Sequence, residues 1–203
     1  MNPNFVRETF EWSRMWWAQA EVPNRRRVLL IGDSITVGYA PHVAAALGEG
    51  VSVDYWATSR SLNDPCFTRE LHYVLSVETY EVIHFNNGLH GFHLTGEEYG
   101  YHLAKALNEL RHASRGARLT WATSTPVTLK DDAHTLDPEK NKIVTSRNEI
   151  ATALMQREKV EVDDLYALVV EHPEVRCEDG YHYFESGQKL LGNAVATFLK
   201  RFL

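Results

Sequence analysis

Read from end to end, the chain alternates between two periodicities. Short apolar runs at Val28–Ile31, Val51–Trp56, Val82–Phe85, Arg118–Thr123 and Val160–Asp163 read as strands. Between and after them, Pro41–Leu47, Phe67–Val77, Gly96–Arg111, Lys140–Gln156 and Ser186–Phe202 carry helical spacing. Repeated βα units of this length pair their strands in parallel, with right-handed crossovers and helices on both faces. The expected fold is an α/β three-layer α/β/α sandwich around a five-stranded parallel sheet in the order 2-1-3-4-5. With 203 residues, 44% of them hydrophobic, the chain can fill one core of that size. Neither a repeat nor a linker divides residues 25–203, which read as a single domain.

Sheets of this kind keep their chemistry where strands run out into helices, and two short motifs fall at such corners. Gly32-Asp33-Ser34 directly follows the first strand, and Asp179-Gly180-Tyr181-His182 directly precedes the last helix. Either alone says little. Gly-Asp-Ser also makes a good helix N-cap, and Asp-x-x-His is often a plain turn. Together they supply three parts that work as one: a hydroxyl, an imidazole to take its proton, and a carboxylate to fix the imidazole's tautomer. That combination points to a serine hydrolase with Ser34, His182 and Asp179 as its triad.

On these residues the chain resembles the GDSL, or SGNH, hydrolases, a family of esterases and lipases, and the resemblance runs from about Arg27 to Leu203. It implies a flavodoxin-like fold, Ser34 as nucleophile, His182 as general base and Asp179 as its orienter. It also implies an oxyanion hole built from the Ser34 N–H, a glycine N–H and an asparagine amide, and here the chain departs from the pattern. No glycine follows the second strand in Ala57-Thr58-Ser59-Arg60-Ser61-Leu62, so Ser61 takes that position. After the third strand, Gly88-Leu89-His90-Gly91 puts His90 where asparagine is expected. A neutral imidazole N–H can donate to an oxyanion as an amide does. If the strand register slips, Asn87 or Asn86, just upstream, supplies the amide instead. The function implied is hydrolysis of short acyl esters, with carbohydrate O-acetyl groups first. A lysophospholipase or thioesterase of the same fold is the alternative, and a non-catalytic binding module with this fold is the competing class.

Other features narrow the reading. A net charge of −6 argues against a nucleic-acid partner, and Arg25-Arg26-Arg27 reads as a solvated lead-in to the first strand. His84, His90 and His93 cluster in sequence without a metal-ligand spacing, so neither metal nor other cofactor is expected. Cys66 and Cys177 read as reduced thiols, although both fall in loops near the catalytic face. No signal peptide and no membrane span is visible, which makes cytoplasmic location the default. Residues 1–24 read as an N-terminal amphipathic helix, with an aromatic stripe of Phe5, Trp12, Trp16 and Trp17 over Phe5 to Ala20. That stripe docks on the chain's own core or forms a homo-oligomer interface. The loop Ser124 to Glu139 has little to bury; it shapes the leaving-group side of the cleft or serves as a solvated connector.

Overall fold

The computed structural model describes residues 6–203. In chain order its elements are β1 (Ser13–Trp16), β2 (Arg26–Gly32), α1 (Ser34–Leu47), β3 (Val51–Thr58), α2 (Pro65–Val77), β4 (Val82–Phe85) and α3 (Gly96–Ala113). Then follow β5 (Arg118–Ala122), β6 (Thr128–Leu129), β7 (Asp132–Leu136), α4 (Lys140–Arg157), β8 (Glu161–Asp163), α5 (Leu165–Val170) and α6 (Glu185–Leu199).

The core is organised around β2, whose Val28, Leu29, Leu30 and Ile31 are all at most 1% exposed. A strand apolar on both faces has to be covered on both. Val28 and Leu30 meet α1, α5 and α6, while Leu29 and Ile31 meet α2, α3 and the Ala151–Met155 stretch of α4. Burying each of these aliphatic side chains contributes about 1.5–3 kcal/mol. Parallel pairing runs β3-β2-β4-β5-β8, the order 2-1-3-4-5 anticipated for the five apolar runs. The chain leaves β2 toward β3 on one side and returns to β4 on the other, so the sheet's switch point lies at the C-terminal end of β2.

The sheet has a sixth strand that the sequence reading lacked. Among the described residues of the 1–24 segment there is no helix; residues 1–5 lie outside the description. Instead β1 pairs antiparallel with the outer edge of β3, matching Ser13 to Thr58 and Trp16 to Tyr55. An aromatic-rich run fits either period, and two features decide for the strand. Met15 and Trp17 fall on one face, against the α2–α3 side, while Trp16 stacks on Tyr55 on the other. Past the strand, a buried ion pair anchors the chain. Arg27, read as part of a solvated basic run, is 3% exposed. Its guanidinium bonds Asp54 at 3.1 Å and the carbonyls of Ala18 at 2.9 Å and Gln19 at 3.1 Å. Asp54 also accepts from the Ala18 N–H. The cation's side chain is therefore satisfied inside the fold, which a count of arginines does not reveal.

The stretch 124–139 is a second correction. Residues Ser124–Thr128 are buried, and β6 and β7 form a hairpin. Thr128 N–H donates to the Gly180 carbonyl at 2.9 Å, and Asp131 N–H to that of Glu178 at 2.7 Å. This segment is the backing of the loop that carries Asp179 and His182.

Candidate active site

Three strand ends and one C-terminal loop converge at the sheet's switch point. After β2 the chain turns at Asp33, which caps α1 by accepting from the Ile35 N–H at 2.9 Å. Ser34 is thereby the first residue of a 14-residue helix, at its positive end. Across from it, the Asp179–His182 loop is closed by the Cys177 N–H donating to the His182 carbonyl at 2.8 Å. Gly180 sits in this loop at φ +90°, where an added Cβ would stand 2.7 Å from the Thr128 carbonyl oxygen. Only glycine meets both demands.

The three predicted triad residues are brought together. Ser34 Oγ lies 2.8 Å from His182 Nε2, and His182 Nδ1 lies 2.6 Å from Asp179 Oδ2. The carboxylate accepts, so the ring proton sits on Nδ1, and Nε2 is the lone pair that faces the hydroxyl. Asp179 Oδ1 accepts the backbone N–H of Tyr181 at 2.9 Å and of His182 at 2.8 Å. Partial burial pushes the Asp179 carboxyl up, but these N–H groups and the imidazole outweigh it and hold it below the usual aspartate range. The cleft in front of Ser34 has a volume of about 470 Å³ and is walled by Trp12, Leu89, Phe92 and Tyr181, with His90 and Glu8 at its polar end.

Of the expected oxyanion donors, neither the Ser34 nor the Ser61 main-chain N–H has an acceptor among the described residues. The Ser61 loop and the His90 loop touch: Gly91, at φ +67°, approaches so closely that a Cβ there would stand 2.4 Å from the Ser61 Cβ. His90 lines the cleft beside Ser34. Both asparagines point elsewhere. Asn86 spends its amide on the Ala122 carbonyl at 2.8 Å and Ser124 Oγ at 3.1 Å. Asn87 donates to the Arg60 carbonyl at 3.0 Å and does not line the cleft.

Two groups at the site went unread in the sequence. Glu8 reaches back to place its Oε1 2.9 Å from His90 Nδ1. Arg147 of α4 is 2% exposed and donates to the carbonyls of Gly88, His90 and Gly91 at 3.0, 2.8 and 2.6 Å, clamping the loop that carries His90. A helical arginine amid polar residues gives no sign of burial. As for metals, His84 lies inside the sheet against Asp163, and His93 faces Asn63. Among the described residues no group of three His, Cys, Asp or Glu could hold a metal ion, and both cysteines are free thiols. No helix of the described residues is long and apolar enough to cross a membrane.

No protein-family profile matches the chain, and no curated protein sequence does. Solved structures do. Est24, a carbohydrate acetylesterase from Sinorhizobium meliloti, superposes with a TM-score of 0.74 at 18% identity, over 88% of this chain and 100% of that one. An aryl esterase of M. smegmatis gives 0.73 at 16%, with the same coverage. A Desulfitobacterium hafniense protein assigned to the G-D-S-L lipolytic family gives 0.67 at 13%, over 85% of this chain and 99% of that one. The chain has the SGNH/GDSL hydrolase fold.

Proposed function

We propose that the protein is a serine esterase that hydrolyses short acyl esters, with O-acetyl groups of carbohydrates as its substrate class. The observation that carries this reading is the continuous hydrogen-bond chain from Ser34 through His182 to Asp179. Ser34 Oγ attacks the ester carbonyl carbon while its proton passes to His182 Nε2, and Asp179 stabilises the imidazolium. The carbonyl oxygen, now negative, is met by the N–H groups of Ser34 and Ser61, by the positive end of α1 and by His90. His182 returns the proton to the departing alcohol, leaving an acyl group on Ser34. Water deprotonated by the same nitrogen then releases the acid and restores the hydroxyl.

The cleft's form supports a small acyl group on a larger polar alcohol. His182 and Asp179 have side chains 47% and 51% exposed, so an acyl chain seated beside them stays partly in water and gains less from burial. Trp12, Phe92 and Tyr181 line the cleft with aromatic surface of the kind against which sugar rings pack. Two of the structural relatives are an acetylesterase and an acetyl xylan esterase, in keeping with this substrate class.

The test is turnover of p-nitrophenyl acetate, octanoate and palmitate by the wild type and by Ser34→Ala. Activity should fall with chain length, and Ser34→Ala should lose on the order of 10³-fold or more in kcat. Substantial turnover by Ser34→Ala refutes the serine mechanism. A kcat/KM that rises through octanoate replaces the acetylesterase reading with a lipolytic one.

A further inference from the structure

The bond between Glu8 and His90 decides what kind of donor His90 can be. Glu8 lies in the stretch before β1 and reaches the loop after β4, joining residues 82 positions apart. An ionised carboxylate only accepts, so the proton between the two belongs to Nδ1 of His90. A neutral imidazole has a single N–H. With that proton on Nδ1, Nε2 carries a bare lone pair, which would repel a developing oxyanion. Yet Nε2 is the nitrogen left for the cleft, since it has no protein acceptor among the described residues. A ring held this way would donate to substrate only as an imidazolium, in contrast to the neutral donor expected from the sequence.

We propose that Glu8 is a positioning residue of the esterase site, fixing the His90 ring through Nδ1 and keeping it an imidazolium whose Nε2–H meets the oxyanion. The proposal rests on the esterase reading above. The charges around the ring agree with it. Glu8 and Glu11 face it from the N-terminal arm and Asp33 from the turn before Ser34, against the Arg147 guanidinium bonded to its own carbonyl and the His182 ring across the cleft. Trp12 presents its ring at 6.4 Å, near perpendicular, and offers no charge. Burial lowers the His90 pKa, but the bond to Glu8 and the fields of Asp33, Glu8 and Glu11 more than offset it and leave the ring more basic than an ordinary histidine. Glu8 shows the reciprocal change: burial pushes its carboxyl up, and His90 with the Gly91 N–H brings it below the usual range. A charge-assisted donor is roughly twice as strong as a neutral one. A histidine in this position therefore compensates for the amide only while the arm is seated.

The sign of the pH effect follows. Activity needs His182 neutral and His90 charged, so it is lost at the alkaline side as pH rises through the His90 value. Removing the Glu8 charge lowers that value and moves the alkaline limb toward lower pH.

Glu8→Gln keeps an acceptor for Nδ1–H and removes the charge. It should lower kcat for p-nitrophenyl acetate by about 10- to 10²-fold with little change in KM, less than the 10²–10³-fold expected when a whole oxyanion donor is deleted. The alkaline limb should shift down in pH. In a His90→Asn background the amide needs no counter-charge, so adding Glu8→Gln should change kcat less than twofold, about the scatter of additive pairs. Ring-nitrogen NMR titration of His90 should show a higher pKa in the wild type than in Glu8→Gln, and this measurement needs no turnover. Identical His90 titrations in the two proteins, or a Glu8→Gln loss as large in the His90→Asn background as in the wild type, overturns the proposal. A wild type inert toward every ester, with the NMR difference intact, overturns the esterase reading and leaves the Glu8–His90 pairing standing.

Discussion

Replacing Arg147 by methionine removes the clamp on the His90 loop while keeping its bulk. The guanidinium lies over the Tyr99 ring at 4.8 Å and the Phe92 ring at 5.3 Å, contacts that a methionine largely preserves. The carbonyls of Gly88 and His90 lose their donor, while that of Gly91 keeps the Leu94 N–H at 3.0 Å. An orphaned buried acceptor costs about 1–3 kcal/mol, so the two together cost about 2–6 kcal/mol. Opposing this is the relief of a buried cation. Among the described residues no carboxylate pairs with Arg147, and burial holds its pKa below the usual arginine range, with Tyr99 countering only part of the effect. Removing a charge in that state restores several kcal/mol of desolvation. The net loss should be about 1–3 kcal/mol, read as a lower urea midpoint at unchanged m-value. The loop should relax as well, so kcat should fall while KM holds. Arg147→Lys, able to reach only part of the fork's geometry, should lie between. A methionine variant within about 0.5 kcal/mol of wild type, with full activity, would refute this account of the loop.

Two further outcomes are expected. Asp179→Asn offers an amide N–H to His182 Nδ1 and so favours the wrong tautomer; kcat should fall about 10³–10⁴-fold, while thermal unfolding barely moves because Oδ1 still accepts both backbone N–H groups. Gly180→Ala forces a Cβ to within 2.7 Å of the Thr128 carbonyl at φ +90°, and should cost about 1–3 kcal/mol in thermal unfolding and displace His182, lowering kcat.

The five parallel strands and the convergence of Ser34, His182 and Asp179 were legible in the sequence because their signals are local. Val28–Ile31 is apolar without interruption, which is what burial on two faces demands, and Asp33-Ser34 and Asp179–His182 each sit beside the element they cap or precede. What stayed hidden depends on partners distant in sequence. Met15, Trp16 and Trp17 fit a helix until the open edge of β3 is present to pair with them. Arg27 and Arg147 look solvated until Asp54, or a row of loop carbonyls, meets them inside. Thr125 and Val127 sit in a loop that reads as solvent-facing until the Asp179 loop covers it. The candidate oxyanion position lies between these cases: the register after the strand points to His90, which lines the cleft, but no local pattern connects it to Glu8, its partner at 2.9 Å.

The pairing of β1 with β3 has a dynamic consequence. The parallel sheet is complete from β3 to β8, so β1 can peel from the edge of β3, uncovering only the patch that Met15 covers, while the Arg27 and Asp54 bonds hold the chain at Ala18 and Gln19. Such sub-global openings have free energies well below that of full unfolding. Amide exchange at Met15 and Trp16 should therefore report a milder equilibrium than exchange at Leu29 or Ile83. Each opening also withdraws Trp12 and Glu8 from the cleft, so under the proposed mechanism the fraction of molecules competent for chemistry is set by the fraying of one edge strand, a quantity that a global melting temperature does not measure.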